Sequence, residues 1–183
     1  MSRKLAKKYS KLSLDEIDSL LNSLIHEYRL VALLILVDKY NNDKKNIYDF
    51  YFKNVSRVNN WDLVDLTAPK IVGDYLSDKD RNVLYSLAKS PNLWEKRISI
   101  VSTFAFIRNN EFSDTLNISE ILLNDKHDLI HKAVGWMLRE VGKKDEKVLC
   151  SFLDKYSKLM PRTMLRYSIE KFSDEKKKYY MRR

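Results

Sequence analysis

The stretch NWDLVDLTAP, residues 60–69, predicts a short helix that carries two unlike side chains on one face. Asn60 is a favourable N-cap, and Trp61 and Asp65, four residues apart, lie one turn from each other on a helix. A carboxylate is costly in a core unless it is paired, and a large aromatic ring is mostly buried on average. The pair therefore suits a half-open cleft that receives a cation, and the alternative is a core tryptophan with a solvated aspartate.

The same pattern, a polar or basic opening followed by an apolar run, recurs along the chain. The aligned segments are RLVALLIL from Arg29, DLVDLTAP from Asp62, KRISIVST from Lys96, HKAVGWML from His131 and RTMLRYSI from Arg162, with starts 33, 34, 35 and 31 residues apart. One further predicted helix lies between each pair, and a two-helix unit at this interval is typical of an α-solenoid. The predicted fold is all-α, a superhelix of HEAT-like antiparallel helix pairs forming a single domain over residues 1–183.

Composition agrees with this fold class. The 183 residues include only three Gly and three Pro, too few for the many turns of an all-β protein. The single cysteine, Cys150, excludes an internal disulfide. The longest apolar run, residues 30–37, is too short to span a membrane, and no apolar signal core follows the basic N-terminus. We therefore expect a cytoplasmic protein without a membrane partner.

Capping and breaking residues predict where the helices begin and end. Ser13 and Glu16 have the spacing of a capping box. We expect one helix to begin at Asp78, one to run without a break over residues 93–108, and the helix from Asp128 to end near Gly142. Beyond residue 172 the sequence predicts a solvated basic tail.

Positive charge points to a polyanionic partner. The net charge is +9 and the pI about 9.4, values that favour nucleic acid over a merely lysine-rich surface. If the five aligned helices line a basic concave face, they bring to one side Arg29, Trp61, Asp65, Lys96, Arg97, Lys132, Trp136, Arg139, Arg162 and Arg166. Such a groove would follow a phosphate backbone and leave room for aromatic contacts. Its candidate DNA-binding residues are Arg97, Arg139, Lys96 and Lys132.

Few other residues offer chemistry. His127 and His131 are four apart, but no cysteine or acidic residue completes a metal site, so we expect neither metal nor cofactor. Glycine-rich phosphate loops and serine nucleophile elbows are absent. Asp65 is therefore the catalytic candidate. Pro69 removes the N–H that the Asp65 carbonyl would accept, which either kinks the helix or ends it.

Trp136 follows a glycine, and glycine inside a helix is less favourable than alanine by about 1 kcal/mol. Gly135 is better tolerated where the backbone must approach another element closely. From this pattern alone Trp136 suits a core and a cleft equally well.

Five segments together resemble the DNA alkylation repair family over nearly the whole chain. They are HEYRLVALLIL (residues 26–36), NWDLVDLTAPKIVGDYL (60–76), LWEKRISIVSTFAFIR (93–108), HKAVGWMLREVGKKD (131–145) and PRTMLRYSIEKF (161–172). The resemblance implies a HEAT-like solenoid and a DNA glycosylase of base excision repair, and we expect the protein to be a monomer. Its substrate would be duplex DNA with cationic N3- and N7-alkylpurines. It also implies that Asp65 is catalytic, that Trp61 and Trp136 line the cleft, and that Arg97 binds the backbone.

Two expectations qualify this assignment. Members of the family carry several dozen more N-terminal residues, in helices that contact DNA near the lesion, and the sequence begins inside that region. The apolar face of the first repeat is then expected to be exposed. The alternative function is a non-catalytic HEAT-like scaffold that binds DNA structure or a protein partner.

Overall fold

The predicted all-α class is confirmed. The computed structural model describes residues 2–182, and over that range the chain forms helices and connecting turns without a β-strand. These residues pack as two compact units, the first ending at Lys79 and the second beginning at Asp80. Within the described range, none of the helices combines the length and the apolar content needed to cross a bilayer.

The first unit is organised around one helix. Its elements are α1 (Ser2–Lys8), α2 (Leu14–Leu21), α3 (His26–Lys39), α4 (Lys44–Lys53), α5 (Trp61–Ala68) and a π-helical segment (Pro69–Gly73), with 3-10 turns at Tyr40–Asn42 and Val55–Arg57. Helix α3 packs against α1, α2 and α5 and buries the continuous run of residues 32–36. The capping box of Ser13 and Glu16 at α2 is confirmed.

The second unit is organised around its longest helix. Its elements are α6 (Asn82–Ala88), α7 (Leu93–Ser102), α8 (Phe104–Arg108), α9 (Ser113–Ile121), α10 (Asp128–Lys144), α11 (Glu146–Tyr156), α12 (Arg162–Ser168) and α13 (Asp174–Arg182). Helix α10 packs against α7, α8, α9, α11 and α12. Its apolar face is fully buried, so it forms the core of this unit.

Gly135 lets α10 and α12 approach each other closely. A Cβ atom at this position would lie 2.5 Å from the Cβ of Tyr167 and 2.6 Å from the carbonyl oxygen of Met164, both on α12. A backbone atom cannot swing aside as a side-chain tip can. The expectation that this glycine serves a close backbone approach is therefore confirmed.

Several predicted boundaries were wrong. The helix expected from Asp78 begins at Asn82, because the carboxylate of Asp80 accepts hydrogen bonds from the Asn82 backbone N–H (2.8 Å) and side chain (2.9 Å) and holds the chain in a turn. The helix expected over residues 93–108 is interrupted at Thr103. The hydroxyls of Ser102 and Thr103 donate to backbone carbonyls there and compete with the helical hydrogen bonds.

Near the C-terminus, two further expectations were wrong. Helix α10 passes through Gly142 and ends at Lys144. Gly142 has no positive φ and lies against the Leu149 side chain, so it makes room for α11 and does not act as a helix stop. The expected basic tail folds into α13, because Tyr180 is buried against Phe172 and packs the helix onto the rest of the second unit. The many lysines of this segment made that apolar contact hard to recognise from the sequence.

Candidate functional site

Helix α5 presents Trp61 and Asp65 on successive turns. Asn60 caps the helix by accepting the Trp61 N–H at 2.7 Å, as the sequence predicts. The Trp61 side chain is 53% exposed, which excludes a core role in the first unit. Asp65 is half-buried. The structure therefore places an open aromatic face one helical turn from a partly shielded carboxylate.

A buried hydroxyl chain supports this part of α5. The Thr67 hydroxyl donates to the Leu63 carbonyl at 2.5 Å, so the Tyr51 hydroxyl, 3.1 Å from the Thr67 oxygen, is the donor to it. Burial raises the pKa of the Tyr51 phenol; the Thr67 hydrogen bond opposes this and the nearby Asp65 carboxylate raises the pKa further. Tyr51 therefore stays neutral and anchors α4 to α5 beneath the candidate site.

His26 joins the start of α3 to the start of α5. Its Nε2 lies 2.8 Å from Oδ2 of Asp62, whose Oδ1 accepts the Leu63 N–H at 2.8 Å. The partner of His26 lies 36 residues further along the chain, at the N-terminus of a different helix. No spacing in the sequence connects the two residues, and only tertiary packing brings them together.

The helix that carries Asp65 does not end at Pro69 but continues as a wider, π-helical turn. Residues Pro69–Gly73 form a π-helical segment in which the Asp74 N–H donates to the Pro69 carbonyl, five residues back. Of the two alternatives left open for Pro69, the structure shows the distorted helix. The segment is held by Asp74, which accepts hydrogen bonds from the Tyr40 hydroxyl (2.9 Å) and the Lys44 ammonium (2.7 Å). Such π-bulges occur frequently at functional sites.

Trp136 lies half-buried on α10. Its indole N–H donates to Glu140 Oε1 at 3.2 Å, and its ring centroid is 6.0 Å from that of Phe104. Glu140 also accepts from Lys143 at 2.7 Å, and its side chain is only 13% exposed. Sequence reasoning missed Glu140, although its position four residues after Trp136 is a usable signal for a helical pair.

Two of the four predicted DNA-binding cations are engaged in packing. Arg97 is 5% exposed and donates to the Leu129 carbonyl at the start of α10. Lys96 Nζ lies 2.7 Å from Asp125 Oδ2. Burial alone would raise the pKa of Asp125, but hydrogen bonds from Lys96 and from the His127 backbone N–H outweigh it and lower the pKa. Both cations thus connect α7 to the region where α10 begins.

Of the other two cations, only Lys132 is more open, since the Arg139 side chain is 18% exposed. Lys132 forms a 2.7 Å ion pair with Asp128 one turn away, and its side chain is 41% exposed. Lys132 also lines a cavity of about 520 Å³ together with Arg166, which lies on α12. Arg139 pairs with Glu170. An exposed pair such as Lys132–Asp128 contributes little to stability, so Lys132 can exchange its partner for a phosphate at low cost.

Within each unit the predicted residues gather on few elements. Trp61 and Asp65 share one face of α5 in the first unit, and Trp136, Lys132 and Arg139 share α10 in the second. Among the described residues, no group of three histidine, cysteine, aspartate or glutamate side chains could hold a metal ion.

Comparison with known proteins assigns the class to which this fold and these side chains belong. The family model described as DNA alkylation repair enzyme matches residues 1–172. The chain belongs to this family. Among curated proteins, none matches the chain.

Two solved structures share the fold. A predicted DNA alkylation repair enzyme from Enterococcus faecalis aligns with a TM-score of 0.72 and 16% identity, over 94% of this chain and 83% of its own. The crystal structure of smu.31 from Streptococcus mutans UA159 aligns with a TM-score of 0.61 and 21% identity, over 94% of this chain and 91% of its own.

Proposed function

We propose that the protein is a DNA glycosylase that excises cationic N3- and N7-alkylated purines from duplex DNA by hydrolysing the N-glycosidic bond. The observation that carries this proposal is the pair on α5. Trp61 keeps 53% of its surface open, and half-buried Asp65 follows one turn later, one turn before the π-helical segment. An exposed aromatic face beside a carboxylate is suited to a cationic substrate.

The chemistry needs few protein groups. A purine alkylated at N3 or N7 already carries positive charge, so it leaves without a general acid. Breaking the C1′–N bond develops oxocarbenium character on the deoxyribose. In this proposal the Asp65 carboxylate stabilises that charge and orients the attacking water. The face of Trp61 adds a cation–π attraction of about 0.5–1 kcal/mol at an exposed site, and roughly 2 kcal/mol once water is excluded.

Residues of the second unit have supporting roles in the proposal. The hydrogen bond from the Trp136 indole to Glu140 fixes the ring orientation, which suits Trp136 for holding the sugar. Lys132 is the most open of the four candidate cations and Arg97 is nearly buried, so we assign phosphate contact to Lys132 before Arg97. The partner is then duplex DNA with alkylated bases. We further propose that the protein works as a cytoplasmic monomer in base excision repair, without metal or cofactor.

The test is release of free 7-methylguanine from methylated duplex DNA. We expect the parent protein to release the base and Asp65→Asn to do so about 10²–10³-fold more slowly, the range for loss of one electrostatic stabiliser. Duplex binding should persist. Asp49→Asn is the matched control, because Asp49 lies on α4 of the same unit in an exposed ion pair with Lys45, and we expect it to keep parental activity.

The alternative function, a non-catalytic scaffold, predicts a different result in the same assay. A non-catalytic scaffold would bind duplex DNA in a salt-sensitive manner while neither the parent nor any variant releases base. Equal release by the parent and Asp65→Asn would instead reject Asp65 as the catalytic group.

A further inference from the structure

We infer that the first unit carries a second phosphate-binding surface, built from α1 and the π-helical segment, that contacts the DNA backbone. We call it the α1–Lys70 patch and define it as Arg3, Lys4, Lys7 and Lys70. These four side chains line one open cavity of about 350 Å³. The inference rests on the proposed function in taking duplex DNA as the partner.

Uncompensated charge is the first observation. Asp38 is the one carboxylate among the residues that line this cavity, against four cations. Within residues 2–182, the four patch cations make no ion pair and no side-chain hydrogen bond. Other lysines of the same unit, such as Lys44, Lys45 and Lys79, are each paired with an aspartate at 2.5–2.7 Å. The patch is therefore a local concentration of positive potential.

The placement of these charges on α1 is unfavourable for the helix itself. Arg3 and Lys4 occupy the first turn, where the helix dipole disfavours cations, and that turn has no acidic residue. Arg3 and Lys7 are also four residues apart, a spacing at which like charges repel. An anionic partner would relieve both effects.

Lys70 is presented by the π-helical segment. Pro69, Ile71, Val72 and Gly73 are all buried, and Lys70 is the exposed member of the five. Because Asp74 is anchored directly after the segment, the backbone that carries Lys70 is held in place. The widened turn therefore directs one cation into the cavity beside α1.

The cavity suits a phosphate backbone better than a small ligand. Its floor is apolar, formed by Ala6, Leu34 and Val37, along which lysine stems can lie while their ammonium groups remain in water. Flexible point charges around an open cavity recognise charge but not base identity. Duplex DNA supplies one negative charge per roughly 1.7 Å of axis, so a spread of several cations can engage it at once.

The test compares two charge-matched double variants of the full chain. Lys7→Gln/Lys70→Gln removes two patch cations, and Lys45→Gln/Lys79→Gln removes two ion-paired cations from the same unit. Binding to an unmodified fluorescent duplex is measured by anisotropy over a series of salt concentrations, with urea unfolding as a check on folding. Release of 7-methylguanine is assayed in parallel with all three proteins.

For the patch variant we expect the slope of log K against log[salt] to become shallower by about 1.8, since each lost contact removes about 0.9. That corresponds to roughly 30-fold weaker binding near 0.15 M salt, at about five-fold per contact. For the control variant we expect the parental slope. Equal slopes for the two variants would overturn the inference, whether or not base is released.

The remaining outcomes separate the two proposals. If the salt dependence of binding becomes shallower in the patch variant and none of the three proteins releases base, the result supports DNA binding by the patch and rejects the glycosylase. Vesicles containing phosphatidylserine test the other source of phosphate. Vesicle binding that depends on the patch, with duplex binding unchanged by its removal, would assign the patch to a membrane surface and overturn our inference. A parent that binds no duplex at all rejects both proposals.

Discussion

At the scale of single residues, Asp125 pairs with Lys96 and so turns a predicted DNA contact into a packing contact. Its carboxylate is 9% exposed and accepts hydrogen bonds from Lys96 and from the His127 N–H. These interactions hold the pKa of Asp125 below its ordinary value of 3.8. Because the folded pKa lies below the unfolded one, the stabilisation is complete above pH 3.8 and is lost as pH falls through the folded pKa.

We therefore expect Asp125→Asn to lower the free energy of unfolding by about 1–3 kcal/mol at neutral pH, the range for a buried charge-assisted hydrogen bond. The difference from the parent should shrink once pH drops below 3.8. Urea unfolding of both proteins at a series of pH values measures this. Asp49→Asn, in an exposed ion pair, should change stability by less than about 1 kcal/mol. A deficit of the same size at every pH would contradict an electrostatic origin.

At the scale of elements, the contact between α10 and α12 depends on Gly135. Alanine is the better helix former by about 1 kcal/mol, yet its Cβ would meet a carbonyl oxygen at 2.6 Å. Overpacking of this kind costs about 1–3 kcal/mol. The overpacking cost outweighs the gain in helix propensity, so we expect Gly135→Ala to destabilise the protein by up to about 2 kcal/mol in urea unfolding.

Gly142→Ala is the control on the same helix. The neighbouring atoms there belong to the Leu149 side chain, which can rotate, so this change should be close to neutral. If Gly135→Ala proved as stable as Gly142→Ala, the close approach of α12 would not be the reason for glycine at position 135.

Helix starts show which element boundaries a sequence can predict. Asn60 and Ser13 were predicted correctly because a cap is a contact between residues at most three apart. The break at Thr103 and the start at Asn82 were not predicted, although their hydrogen bonds are equally local. Serine, threonine and aspartate can either cap, turn or remain inside a helix, and packing decides among these options.

At the scale of the whole molecule, the net charge of +9 favours binding to DNA through its phosphate groups. Phosphate contacts carry no sequence information. We expect two unmodified duplexes of equal length and unrelated sequence to bind within a factor of about three of each other, with affinity that falls steeply as salt rises. Titration of both duplexes at two salt concentrations checks this. A preference above tenfold for either sequence would show base contacts that the charge argument does not include.

The sequence by itself determined the helical class, the caps of α2 and α5 and the face shared by Trp61 and Asp65. Each of these depends on spacings within one or two helical turns. Its order of segments also matches the DNA alkylation repair family, to which the chain belongs.

Tertiary structure alone decided that Trp61 is open, that His26 reaches Asp62, that Lys96 and Arg97 serve packing, and that α12 lies against Gly135. The physical reason is that burial and pairing join residues about 29 to 36 positions apart, and the local patterns of charge and hydrophobicity do not encode which of them meet.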